Sequence, residues 1–295
     1  MRASLIQITV DPYESVDARR QRAAALVRRQ RGLADLVVLP ELWPVGAFAY
    51  ESFAREAEAL DGPTFEAMSK AAGDAGVWLH AGSFVERDAG GALYNTSLVL
   101  SPAGELVRTY RKIHRFGFDK GEATLMSAGE ELVTVPLTLD GDGGAGPDGG
   151  GDAGGRDGGD GPDARETVLG LATCYDLRFP ELFRGLVDAG ARVLVVPAGW
   201  PARRRAHWTL LARARAVENQ SYVLACATAG THAGVEQSGH SIVVDPWGEV
   251  LAEAGTDEEI LTADLDLTRV TTTREQFPAL KDRRLGLAAP SRLRA

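Results

Sequence analysis

The sequence predicts an α/β fold of stacked layers, on three observations. Short β-branched runs alternate along the chain with longer stretches of helical periodicity. Of the 295 residues 44% are hydrophobic and 25% charged, the composition of a globular protein able to bury a full core. No apolar run approaches the ~18–20 residues that span a bilayer.

The expected strands are Leu5–Val10, Leu36–Leu39, Trp78–Phe84, Ser97–Leu100, Leu132–Leu139, Val168–Thr173, Val193–Val196, Tyr222–Ala227, Ser241–Asp245 and Ile260–Asp266. The expected helices are Val16–Arg31, Thr64–Ala75, Pro180–Ala189 and His207–Asn219. In the last, Leu211, Ala214 and Val217 recur at helical spacing as an apolar face. Pro180 and Glu181 suit a helix start, where proline needs no amide donor and the acid complements the dipole.

From Gly141 to Gly161 the chain is almost entirely Gly, Asp, Ala and Pro, with 12 of the 34 glycines. Such a segment buries too little apolar surface to offset the entropy of ordering it, so a disordered insertion at 141–161 is expected. Strand patterns resume on both sides, and residues 1–295 read as one domain. The segment contains Gly141-Asp142-Gly143-Gly144-Ala145-Gly146, a formal G-x-G-x-x-G. A dinucleotide site needs a helix to open there, and Pro147 with further glycines follows instead.

The formal net charge is −9, but eight acids against two bases lie between Asp140 and Glu166. The remainder is close to balanced, which argues against nucleic acid or an anionic membrane as partner. The first ten residues enter a strand pattern without the apolar core of a signal peptide. The two cysteines, Cys174 and Cys226, lie outside any C-x-x-C pattern, so neither a disulfide framework nor a cysteine zinc site is expected. The compartment reads as cytoplasm.

Three polar residues sit where an apolar strand gives way to a loop. Glu41 ends Val37-Val38-Leu39-Pro40-Glu41-Leu42-Trp43; read alone, it is a base or a structural acid at a helix start. Lys112 lies in Tyr110-Arg111-Lys112-Ile113-His114-Arg115-Phe116, where basic residues are usually a solvated face. Cys174 lies in Thr173-Cys174-Tyr175-Asp176-Leu177-Arg178-Phe179-Pro180-Glu181, a strand-to-helix turn of the kind that exposes a nucleophile in a field favouring the thiolate. The competing reading is a buried, inert thiol.

Together the order, spacing and flanks of these motifs, with Gly239-His240-Ser241-Ile242-Val243-Val244-Asp245-Pro246-Trp247-Gly248, resemble the nitrilase superfamily of carbon–nitrogen hydrolases across nearly the whole chain. The resemblance implies a four-layer αββα sandwich, acyl transfer by a Glu41–Lys112–Cys174 triad, no metal or organic cofactor, and a homodimer or higher homo-oligomer. A thiol of pKa ~8.5 is only a few per cent thiolate at neutral pH and needs a base. Glu41 can take its proton and pass it to departing ammonia, while Lys112 and a backbone amide near Tyr175 hold the oxyanion. A second glutamate of the family matches Glu122 best, with an exposed loop acid as the alternative.

The Cys-Tyr-Asp-Leu-Arg-Phe-Pro-Glu string, with Gly199-Trp200-Pro201 and His207-Trp208, is most similar to the ω-amidase and deaminated glutathione amidase branch. That implies a small, carboxylate-bearing amide as substrate; N-carbamoyl amino acids, aliphatic amides and nitriles are the alternatives within the superfamily. Arg178 either clamps a substrate carboxylate or makes an ion pair with Asp176 or Glu181. Tyr175, Phe116 and Trp200 are candidates to shape the pocket, and Phe118 is assigned to the core. Arg203-Arg204-Arg205 reads as a solvated loop or subunit contact that could steer anions. Cys226 is expected in the core and His114 in support of the site.

Rival classes are discriminated by residue pattern. The histidines His80, His114, His207, His232 and His240 form no H-E-x-x-H, and Cys174 lacks a papain-type context. An amide-transfer enzyme would need a separate synthetase partner, and a non-catalytic scaffold would be free to lose one of the triad.

Overall fold

The structure, a computed structural model, describes residues 1–139 and 165–285. The expected disorder of 141–161 lies outside the described residues.

Fourteen strands are formed among the described residues, twelve of them in two sheets of six. They are β1 (Arg2–Gln7), β2 (Leu36–Val38), β3 (Trp78–Arg87), β4 (Leu93–Leu100), β5 (Leu106–Arg111), β6 (Thr134–Thr138), β7 (Glu166–Leu171), β8 (Val193–Ala198), β9 (Tyr222–Ala227), β10 (Thr231–His232), β11 (Val235–Glu236), β12 (Ile242–Val244), β13 (Val250–Glu253) and β14 (Glu259–Asp264). The α-helices are α1 (Val16–Arg28), α2 (Pro63–Ala75), α3 (Glu122–Leu125), α4 (Pro180–Asp188), α5 (Arg205–Asn219) and α6 (Thr268–Gln276).

One sheet runs β14-β1-β2-β3-β4-β5 and the other β6-β7-β8-β9-β12-β13. Each has the same sequence of pairings: one antiparallel, two parallel, two antiparallel. The parallel pairs require crossovers, which α1 and α2 provide in the first sheet and α4 and α5 in the second. Ser15 caps α1 through its hydroxyl, which accepts from the Ala18 amide at 3.1 Å, and prolines open α2 and α4.

Three apolar layers hold the stack together. Between the sheets, Leu5, Val38 and Val99 meet Leu169, Val195 and Leu224. Ile6, Val37 and Leu79 pack outward against α1 and α2, and Leu194, Val196 and Val223 pack outward against α4 and α5. The order helix, sheet, sheet, helix is the expected four-layer αββα sandwich. Cys226 lies in the central layer, its thiol 3.4 Å from the Val38 carbonyl of the opposite sheet, and burial holds that thiol far above the usual range.

Two expectations are corrected. Phe118 is not core; it stands 89% exposed on the loop after Lys112. On α5 the buried face is Trp208, Ala212, Arg215, Ala216 and Asn219, while Val217 is 52% exposed. That face carries polar groups because they have partners: the Arg215 guanidinium donates to the Leu177 carbonyl at 2.7 Å, and Asn219 Nδ2 to the Arg215 carbonyl at 3.0 Å.

Candidate active site

Glu41 follows β2, Cys174 follows β7 and Gly199 follows β8, so three connections leaving the carboxyl ends of parallel strands converge where the two sheets face each other. Lys112 directly follows β5.

The Pro40–Trp43 turn is fixed from beneath by β3. The Leu42 amide donates to Ser83 Oγ at 2.9 Å and the Trp43 indole to the Ala81 carbonyl at 2.9 Å. Gly82 makes this possible: at φ +64° it passes the turn so closely that a Cβ would stand 2.0 Å from the Pro40 oxygen. Cys174 itself adopts φ +48°, a conformation unfavourable for any residue with a Cβ, at the junction of strand and 3₁₀ turn.

Four side chains, all buried, form one network. Lys112 Nζ donates to Glu41 Oε1 at 2.6 Å and to Glu122 Oε2 at 2.6 Å. Asn95 Nδ2, on β4, donates to Glu41 Oε1 at 2.9 Å and also to Glu122 Oε1. The Asn95 carbonyl accepts the Lys112 amide at 2.9 Å, so one residue fixes the lysine backbone and bridges both its carboxylates. The Gly199 amide donates to Glu41 Oε2 at 2.8 Å, and the Phe116 amide to Glu122 Oε2 at 2.8 Å. Glu122 opens α3 and is buried, so the exposed-acid alternative does not hold.

The charges are strongly coupled. Burial opposes the Lys112 ammonium, but Glu122 and Glu41 outweigh it and keep the lysine protonated well above the usual range. Burial raises the Glu122 carboxyl, with Lys112 opposing and Glu41 adding to the rise. Burial first, and then the negative charge of Glu41, hold the Cys174 thiol well above its ordinary value, against the pull of Lys112. The resting sulfur is therefore a thiol. The expected field favouring the thiolate is corrected: burial and the adjacent carboxylate outweigh the cation.

Asp176 ties the cysteine turn to the lysine segment. Its carboxylate accepts from the Thr173 amide at 2.8 Å, the Tyr110 hydroxyl at 2.7 Å and the His114 amide at 3.0 Å, and contacts His114 Nδ1 at 2.7 Å. The His114 ring stacks on Phe179 with centroids 3.7 Å apart. Asp176 thus serves the turn rather than Arg178, which settles against that ion pair.

Above the sulfur opens a narrow cleft. Phe116, Tyr175 and Trp200 line it with Cys174, Glu41, Lys112 and Glu122; Phe48, Arg178 and Arg204 line it as well. Arg178 lies with its guanidinium carbon 4.9 Å from the Trp200 ring centroid, and Arg204 5.2 Å from that of Phe116. Asn95, Phe48 and Arg204 were not read from the sequence as site residues. A lone asparagine in an apolar strand carries no periodic signal, and the arginine run resembled solvated surface. Among the described residues no group of three or more His, Cys, Asp or Glu side chains is arranged to hold a metal ion.

Comparison with known proteins agrees with this geometry. The family model of the carbon–nitrogen hydrolases matches residues 2–275. A 2-oxoglutaramate amidase of Paenarthrobacter nicotinovorans is 40% identical over 287 residues, 96% of this chain and 90% of its own. The mouse omega-amidase NIT2 is 36% identical over 97% of this chain and 96% of its own. Among solved structures, Saccharomyces cerevisiae Nit3, a member of branch 10 of the nitrilase superfamily, superposes with a TM-score of 0.78 at 31% identity, covering 96% of each chain. The chain belongs to the carbon–nitrogen hydrolase family of the nitrilase superfamily and is an amidase.

Proposed function

We propose that this amidase hydrolyses the terminal amide of a small carboxylate-bearing acid, a 2-oxo acid amide such as 2-oxoglutaramate, with Cys174 as nucleophile, Glu41 as general base and acid, and Lys112 with Glu122 as the electrostatic partner. The observation that carries the reading is the buried thiol, carboxylate and ammonium sharing one cleft, with Glu41 reaching both Lys112 and Gly199 beside Cys174.

Because the thiol is held protonated, Glu41 removes the Sγ proton as sulfur attacks the amide carbon. The carbonyl oxygen becomes an oxyanion, stabilised by the Lys112 ammonium and the Tyr175 backbone amide. Glu41 then returns the proton to nitrogen, the C–N bond breaks, and ammonia leaves a thioester on Cys174. Water, deprotonated by Glu41, adds to the thioester; the second tetrahedral intermediate expels the sulfur, which recovers the proton, and the free acid departs. Glu122 and Asn95 keep Lys112 aimed, and Arg178 binds the far carboxylate while Phe116, Tyr175 and Trp200 shape the cleft.

Relatives named for 2-oxoglutaramate and for omega-amidase activity support the substrate class. The family match over residues 2–275 supports reading the chain as one domain. We read the enzyme as a homodimer in the cytoplasm. Leu210 and Val217 on α5, with Trp247 and Phe277, form an exposed apolar patch, in which Val217 abuts Gly248 and the two rings lie 6.1 Å apart. Two unpaired cysteines suit a reducing compartment. The test is ammonia release from 2-oxoglutaramate, 2-oxosuccinamate, an N-carbamoyl amino acid, a neutral aliphatic amide and a nitrile. Best turnover on the 2-oxo acid amides supports the assignment; best turnover on another class replaces the substrate.

A further inference from the structure

We infer that Arg204 is a specificity-determining residue: together with Arg178 it forms a two-guanidinium clamp, assembled on Trp200, for the carboxylate at the far end of the amide substrate. The inference rests on the amidase reading above and adds to it a residue and a device for selecting the substrate.

Trp200 holds both arginines. Its indole N–H donates to the Arg204 backbone carbonyl at 2.8 Å, and its ring face carries the Arg178 guanidinium. The indole is buried and braced by Trp208, with ring centroids 5.4 Å apart. Arg204 projects back over Phe116, whose amide is bonded to Glu122. The second guanidinium is thereby fixed relative to the same carboxylate that aims Lys112. Both arginines line the cleft that contains Cys174.

The charge balance at this mouth points to an anion. Among the described residues neither Arg178 nor Arg204 makes an ion pair with a carboxylate; the polar partner of Arg178 is His207 Nδ1 at 3.3 Å. Other buried and half-buried arginines find partners within the protein: Arg20 pairs with Glu58, Arg22 with Glu14 and Arg111 with Glu86, while Arg115 and Arg274 give their N–H groups to backbone carbonyls. Burial disfavours the charge of Arg204, and repulsion from Arg203 and Arg178 adds to the cost, so an entering anion offsets both. Aromatic faces hold guanidinium planes without consuming their N–H donors, leaving the Arg204 fork and the Arg178 donors not engaged with His207 available for a planar carboxylate. With the amide carbon at Cys174, the group that reaches the mouth is the opposite end of the substrate. Of the readings of Arg203-Arg204-Arg205, a solvated loop or subunit contact that could steer anions, Arg203 is exposed as a solvated loop residue, whereas Arg204 turns into the cleft.

The test compares kcat/KM for ammonia release from 2-oxoglutaramate and from butyramide, in wild type, Arg204→Gln and Arg204→Lys. Arg204→Gln should lower the ratio of the two values by about 10- to 100-fold, mainly through KM for the carboxylate amide, the range expected for a lost charge-assisted contact. Arg204→Lys should lie between, since a point charge replaces a fork. Glutarate binding, measured by calorimetry on the same proteins, should weaken in parallel. A specificity ratio and glutarate affinity within twofold of wild type in both variants would overturn the clamp. If Arg204→Gln does not fold, Arg204→Lys decides on the same criteria. Absence of Cys174-dependent ammonia release from any amide in wild type would instead defeat the amidase reading, and glutarate calorimetry would still decide the clamp.

Discussion

Glu122→Gln isolates what the second carboxylate contributes. All three groups on the Glu122 carboxylate are donors: Asn95 Nδ2 on Oε1, and Lys112 Nζ at 2.6 Å with the Phe116 amide at 2.8 Å on Oε2. Glutamine keeps the shape but offers one acceptor oxygen and one NH₂. With its oxygen serving Lys112 and Phe116, its NH₂ meets the Asn95 NH₂, donor against donor. Turning the Asn95 amide over, so that its oxygen, without a partner among the described residues, accepts from glutamine, directs that oxygen at Glu41 Oε1, acceptor against acceptor. Either arrangement loses one buried hydrogen bond, a cost of about 1–3 kcal/mol. Borne by the transition state, that is about a 5- to 150-fold loss in kcat. The assay is steady-state ammonia release at saturating 2-oxo acid amide, with the melting temperature as control for folding. A kcat within twofold of wild type would refute the hydrogen-bond accounting and make Glu122 a bystander.

Three further substitutions probe separate parts of the account. Gly199→Ala places a Cβ 2.3 Å from the Ala47 Cβ; relief by about 1 Å displaces the amide that holds Glu41, so kcat should fall on the order of 100-fold, and unchanged kinetics would contradict the contact. Glu41→Gln removes the charge that, after burial, holds the Cys174 thiol up. The thiol should then titrate at lower pH by ultraviolet thiolate absorbance, while turnover falls about 10²–10⁴-fold; a thiol pKa that rises would reverse the electrostatic argument. His232 is buried, neither ring nitrogen has a partner among the described residues, and burial with Arg19 lowers its pKa from 6.5 to about 4. Between these values the unfolded chain binds the extra proton, so stability is full above pH 6.5 and is lost, on the order of 3 kcal/mol, as pH falls to 4. His232→Phe should flatten that part of the denaturation profile, and an unaltered acid slope would exclude the histidine as its source.

The sequence made the layers legible because the central strands are buried on both faces and read as apolar runs: Leu36–Val38, Val193–Ala198 and Tyr222–Ala227 are buried at every position. It hid the edges. Leu106–Arg111 and Val250–Glu253 are outer strands with mixed exposure, and their polar residues concealed them. The strand expected at Ser97 begins at Leu93, and the missed residues include Asn95, the bridge of the site. A polar residue buried for its hydrogen bonds looks in sequence like a strand end; only the opposing Glu41 and Glu122, 54 and 27 residues away, explain it. Phe118 failed for the opposite reason, an aromatic residue left exposed on a loop. Glu41, Lys112, Glu122 and Cys174 were identifiable through flanking motifs, whereas the direction of the thiol shift required the distances and burial of its neighbours.

The most direct test of the central claim is intact-protein mass spectrometry on enzyme quenched with acid during turnover of 2-oxoglutaramate. The account predicts a mass increase equal to the substrate minus ammonia, mapped to Cys174 and absent in Cys174→Ala, which should release no ammonia. Ammonia release that persists in Cys174→Ala would contradict it.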